Sequence, residues 1–147
     1  MVRFYEFGDI PKGLLKFALI VSVHGGKWVF CRHKDRDTLE IPGGHVEAGE
    51  AVYEAAVREL REETGALLSD IKPVCIYSVI SEENFGGQET FGGLFFADIV
   101  SFGELRHEIG EIFLLNDMPE RWTYPLIQPE LIRECVRRGF GVRQKAL

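Results

Sequence analysis

Residues 44–66 constrain this chain more than any other stretch: Gly-His-Val-Glu-Ala-Gly-Glu-Ala-Val-Tyr-Glu-Ala-Ala-Val-Arg-Glu-Leu-Arg-Glu-Glu-Thr-Gly-Ala. The middle reads as a helix. Glu50 opens it, where an acidic residue suits the positive end of the helix dipole, and Gly65 closes it as a left-handed terminating glycine. No proline interrupts, and alanine, leucine, arginine and glutamate are good helix formers. At about 100° per residue, Tyr53, Ala56, Val57, Leu60 and Thr64 share one side, the face expected to be buried. Glu59, Glu62 and Glu63 fall on another, roughly 120° away.

Three carboxylates at i, i+3 and i+4 repel one another when ionised. A helix that needs only solubility would place lysines among them. A ridge of oxygen donors instead suits a hard divalent cation such as Mg²⁺ or Mn²⁺. Arg58 stands one turn after Glu54 and one turn before Glu62, so it could hold both by charge-assisted hydrogen bonds. A solvated acidic face is the plain alternative, since charged residues are mostly exposed.

A chain of 147 residues, 46% hydrophobic and 12% aromatic, is the size of one domain with a packed core. The expectation is a single domain over residues 1–147. The net charge of −6 argues against a protein that lives on nucleic-acid duplexes. It leaves room for a nucleotide, whose phosphates a metal ion can neutralise. Cys31, Cys75 and Cys135 are widely spaced with no C-x-x-C pair, so neither zinc nor a redox dithiol is expected, and the thiols suit a reducing compartment. The most apolar run, residues 14–23, carries Lys16 and is about half a membrane span. The expected setting is the cytoplasm, with no membrane partner.

Along the chain, residues 15–23 read as a strand, His24-Gly25-Gly26-Lys27 as a turn, and 28–32 as the return strand of a hairpin. His33–Asp37 is a polar loop in which Arg32, His33 or Arg36 could face a phosphate. Residues 39–41 form a short strand into Pro42-Gly43-Gly44, where glycine permits close backbone approach to a ligand. After the helix, 66–71 lead into a strand at 74–81, then a turn at 82–87 with Phe85 at its tip. Residues 90–100 are a further strand whose Gly92-Gly93 signals a bulge or a close approach, and 111–115 are the last. A final amphipathic helix covers 130–138. Strands around one helix indicate an α/β chain with a mixed sheet.

The spacing in 44–66 resembles the signature of the Nudix hydrolases: Gly, five residues, Glu, seven residues, Arg-Glu, an aliphatic, any residue, Glu-Glu, any residue, Gly, an aliphatic. Gly44, Glu50, Arg58, Glu59, Leu60, Glu62, Glu63 and Gly65 occupy those positions, and Ala66 is smaller than usual at the last. With each type near one residue in fifteen, the seven Gly, Glu and Arg positions would coincide by chance roughly once in 10⁸ windows. The wider pattern is most similar to bacterial MutT-type members.

That resemblance implies an α/β/α sandwich with a mixed, partly antiparallel sheet. It implies hydrolysis of a pyrophosphate bond in a nucleoside di- or triphosphate derivative, an oxidised purine nucleotide such as 8-oxo-dGTP among them. Mg²⁺ or Mn²⁺ would be held by Glu59, Glu62, Glu63 and the Gly44 carbonyl. Glu59 is one candidate base, and Glu50 and Arg58 would hold the loop-helix-loop together. A glutamate outside the signature is expected too, Glu108 ahead of Glu111. His45 and His107 could touch phosphate, and Phe85, Phe95, Trp122 or Tyr124 could stack on a base. The expected partner is a small nucleotide, and a homodimer is allowed but not required. The competing readings are a module that binds ADP-ribose or a nucleotide without cleaving it, and an isoprenoid-diphosphate isomerase. The latter needs a catalytic cysteine that nothing in the sequence identifies.

Overall fold

The computed structural model describes residues 1–80, 87–105 and 109–142. Seven strands form one mixed sheet: β1 (Val2–Tyr5), β2 (Leu15–His24), β3 (Lys27–His33), β4 (Gly43–His45), β5 (Ala66–Ile80), β6 (Glu89–Phe102) and β7 (Ile109–Leu115). The helices are α1 (Val52–Thr64) and α2 (Gln128–Arg137). The strand order is β1-β5-β6-β2-β3-β7, with β4 attached to β2. β2 and β6 run parallel, and the other pairs are antiparallel.

Side-chain alternation along the central strands builds two cores. Ala18 and Ile20 of β2, Val29 of β3 and Phe95, Ala97 and Ile99 of β6 pack with Ala55, Ala56 and Leu60 of α1. Val21, Val23, Trp28, Phe30 and Leu94 point the other way, against Leu131, Ile132 and Cys135 of α2. One helix therefore covers each face, as an α/β/α sandwich requires.

Position 43 decides how the sheet opens. β2 bonds β6 along one side, and on the other it is shared: Phe17–Leu19 pair with β4 and Ser22–His24 with β3. The chain between, residues 34–42, leaves β3 and returns to β2, where Ile20 N donates to the Pro42 carbonyl at 2.9 Å. This fork brings the Gly43-Gly44 backbone beneath the C-terminal half of α1.

Four details differ from the sequence reading. The strand expected at 39–41 is only a bridge, Cys31 to Glu40 and Leu39 to Trp122, and the regular strand lies at Gly43–His45. β5 runs unbroken through Pro73, because that residue sits at a register irregularity, beyond the last β1 pair at Ile76. β1 was not foreseen. The buried face of α1 is rotated, since Ala55, Ala56, Leu60, Glu63 and Thr64 are buried whereas Tyr53 and Val57 are 48% and 36% exposed. Alanine lets the helix lie close to the sheet, and the larger side chains stand at its rim.

α1 begins after Ala51, whose N–H donates to Glu54 Oε1 at 3.0 Å, and ends on Gly65 at φ 76°. Gly92 is a close approach, since a Cβ there would lie 2.6 Å from the Tyr77 ring. All three cysteines are buried and unpaired. Among the described residues no helix is long and apolar enough to cross a membrane.

Candidate functional site

Arg58 is the hub of the acidic ridge. Its guanidinium donates through Nε and Nη2 to both oxygens of Glu50, at 2.8 and 3.0 Å. Nη1 donates to Glu59 Oε1 at 2.9 Å and Glu62 Oε2 at 3.2 Å, and Nη2 also reaches the His45 carbonyl at 3.0 Å. The expected Glu54 contact is absent from this set, because Glu54 caps the helix instead. The bidentate pair with Glu50 fixes the fork of the guanidinium. The Arg58 bond first, and the Glu47 N–H behind it, hold the Glu50 carboxyl at about 2. Glu50 and its neighbours raise the Arg58 pKa in turn.

Glu63 points the other way, under the fork. It is 5% exposed, and its Oε1 accepts from Gly43 N at 2.8 Å. Burial, aided by the charges of Glu59 and Glu40 and opposed by the Gly43 N–H, pushes its pKa up to about 8. His33 Nε2 lies 2.7 Å from Glu63 Oε2 and 3.1 Å from Glu40 Oε1. The ring is not aimed for a hydrogen bond, and Glu63 Oε2 is a buried oxygen without one. Glu40 Oε2 is taken by Arg36 at 3.1 Å.

Two observations show that these residues fit a hard divalent cation. Glu63 Oε2 is a buried acceptor with no hydrogen bond, facing only the ion-pair contact from His33 Nε2 at 2.7 Å. At Gly44 a Cβ would lie 2.6 Å from Glu59 Oε1, so only glycine leaves space between the backbone and that carboxylate. The donors on offer are oxygens, the preference of Mg²⁺ and Mn²⁺.

Beside this cluster lies a cavity of about 340 Å³, lined among others by His33, Arg36, Gly44, His45, Tyr124 and Gln128. Of the substrate-facing residues expected from sequence, His33 and Arg36 reach it. Arg32 does not: its Nη1 faces the carbonyls of His33, Lys34 and Arg36 at 3.4, 3.4 and 3.0 Å, and Nη2 lies 3.6 Å from Glu111. Arg32 thus shapes the loop that carries the other two. Phe85, His107 and Glu108 lie outside the described residues. Phe95 is core, and Trp122 packs edge-on to Phe30.

Sequence reasoning missed Glu40 and Gln128. Glu40 is a lone acid between apolar Leu39 and Ile41, a pattern that marks a buried charge with a partner. Gln128 is 3% exposed and accepts the Ile41 N–H at 2.8 Å, with no signal in the sequence.

A model of the NUDIX domain matches residues 15–135. A Bacillus subtilis (strain 168) protein with the provisional name 8-oxo-dGTP diphosphatase YtkD is 39% identical over 93 residues, 63% of this chain and 53% of its own. The ADP-ribose pyrophosphatase of Methanocaldococcus jannaschii is 38% identical over 85 residues, 54% of this chain and 48% of its own. The chain thus spans about half the length of the curated relatives it matches. The crystal structure of the Bacillus subtilis pyrophosphohydrolase BsRppH superposes with a TM-score of 0.76 at 25% identity, over 97% of this chain and 93% of the other.

Proposed function

This chain belongs to the NUDIX family, and from that premise we propose that it hydrolyses the pyrophosphate bond of a nucleoside di- or triphosphate derivative with Mg²⁺ or Mn²⁺. The observation that carries this reading is that Glu59 lies against the Gly44 backbone and Glu63 bonds Gly43 N beside a cavity, while Arg58 ties Glu62 to Glu59 on the same helix. The acidic residues and the Gly44 carbonyl would hold the divalent ion, which offsets phosphate charge and activates water.

Around that ion the chain supplies position and proton transfer. Arg58 holds one oxygen each of Glu59 and Glu62, which restrains both carboxylates. Glu59 is the candidate general base, within the ridge and against Gly44. Glu50 acts through Arg58 as a positioning residue. Arg36 and His33 bring positive or donor groups to the cavity for phosphate oxygens.

The cavity also bears on the base. Gln128 commits its carbonyl to Ile41 N, which leaves its NH₂ as the group it can offer. A donor suits the oxo group of a guanine-type ring better than the amino group of adenine. Together with the YtkD likeness, this favours an oxidised guanine nucleotide such as 8-oxo-dGTP.

The test is turnover on a panel of 8-oxo-dGTP, dNTPs, ADP-ribose, dinucleoside polyphosphates and nucleotide sugars with Mg²⁺. Glu62→Gln should cut turnover by about 10² or more, as expected for loss of a metal-holding carboxylate, while the melting temperature holds. Full activity in both Glu62→Gln and Glu59→Gln would reject the reading. Saturable binding with no product across the panel would point to the non-catalytic module instead.

A further inference from the structure

Cys31 and His33 are two residues apart on β3, so both side chains face α1. There they meet Glu63. Cys31 Sγ, an imidazole nitrogen of His33 and a Glu63 oxygen all lie within 4.8 Å of one another. Cys31 is fully buried. Glu63 Oε2, also buried, has no hydrogen bond although His33 Nε2 is 2.7 Å away. The thiol has one weak acceptor, the Glu40 carbonyl at 3.5 Å. Sulfur, nitrogen and oxygen donors thus converge on a buried point with an unsatisfied carboxylate oxygen.

We propose that Cys31, His33 and Glu63 form a site for a borderline transition-metal ion of the Zn²⁺ class, which overlaps the hard-cation site through Glu63 and differs from it in its other donors. Sulfur and imidazole select Zn²⁺ or Co²⁺ over Mg²⁺. Donors bonded at about 2.0–2.3 Å in a tetrahedron stand about 3.3–3.8 Å apart. The His33–Glu63 pair needs to open by about 0.6–1.1 Å, and the Cys31 pairs, at most 4.8 Å apart, need to close by no more than about 1–1.5 Å. On binding, the thiol proton passes to solvent and an S–metal bond forms, which the charge of the ion makes favourable. Three protein donors leave a fourth position for water. The sequence discounts zinc because it lacks a C-x-x-C pair, but here the third donor comes from a helix in the middle of the chain.

The consequence is competition. An ion on Cys31 and His33 draws Glu63 away from Glu59 and Glu62, so zinc would inhibit turnover supported by Mg²⁺. This consequence, unlike the binding itself, rests on the hydrolase reading.

The experiment titrates the full chain with Co²⁺, followed by visible absorption and by calorimetry. Wild type should bind one ion with a thiolate-to-metal charge-transfer band. Cys31→Ser should lose the band, and both Cys31→Ser and His33→Gln should weaken binding by at least about tenfold. His33 is partly exposed, so His33→Gln remains informative if Cys31→Ser does not fold. Glu59→Gln should keep the band while losing turnover, which separates failure of this proposal from failure of the hydrolase reading. Co²⁺ affinity unchanged in His33→Gln, or no charge-transfer band in wild type, would overturn the site. In that case His33 serves as an ion-pair bridge between Glu40 and Glu63.

Discussion

Glu63 sets the pH behaviour of the metal-free protein. An ordinary glutamate titrates near 4.5, and Glu63 in the fold near 8. Between those values the folded chain holds a proton that the unfolded chain has released. The stability this group contributes is therefore full below about 4.5 and is lost as pH rises through 8. Glu50 runs the opposite way, its contribution present above 4.5 and lost as pH falls toward 2. Metal-free wild type should melt at falling temperature from about pH 5 to about pH 9, with Glu63→Gln flatter across that window. An identical decline in the variant would assign the loss to other groups. Gly44→Ala is the companion test. Its Cβ would press on Glu59 Oε1 at 2.6 Å, so Mn²⁺ affinity read by electron paramagnetic resonance should fall by about tenfold or more with the fold intact. At this scale Arg58, Glu59, Glu62 and Glu63 were legible because one helix fixes their spacing. The partners of Glu63 were not, since His33 and Glu40 reach it through the fork and no local period links them.

Among the elements, the fork of β2 between β3 and β4 positions the site, and Gly43 is its tightest point. A Cβ there would lie 2.4 Å from the Ala18 carbonyl oxygen and 2.8 Å from Leu19 Cα, both backbone atoms that cannot swing aside. Gly43→Ala should destabilise the protein by about 1–3 kcal/mol, as overpacking does, read by urea unfolding. A loss below about 0.5 kcal/mol, the range of neutral surface changes, would mean the fork can relax. Element by element, α1, the β2–β3 hairpin and α2 were legible from apolar period and glycine punctuation. The buried face of α1 was legible in part: Ala56, Leu60 and Thr64 are buried as expected, but close packing also selects Ala55 and leaves the larger Tyr53 and Val57 at the rim. β1 escaped because four residues carry little pattern and gain their place only by pairing with Ile76–Val79.

At the scale of the molecule, two helices seal two faces, and neither core is complete without its helix. Leu131 is fully buried in the α2 core, so Leu131→Ala should cost about 2–5 kcal/mol. Calorimetry should show one cooperative transition moved to lower temperature. A second, separate transition would mean that α2 comes off independently. Arg138 reinforces that docking, reaching Glu134 on its own helix and Glu6 after β1, each at 2.8 Å.

The single parallel pair at the centre of the sheet has a kinetic consequence. Leu15 lies beside Phe91 and Val23 beside Asp98, so β2 cannot find β6 until most of the chain has been synthesised. The β5–β6 ribbon, whose partners are close in sequence, can zip first and offer β6 as a template. The acidic cradle, although written in one short helix, is then assembled late, when β2 arrives to carry the glycine turn beneath it.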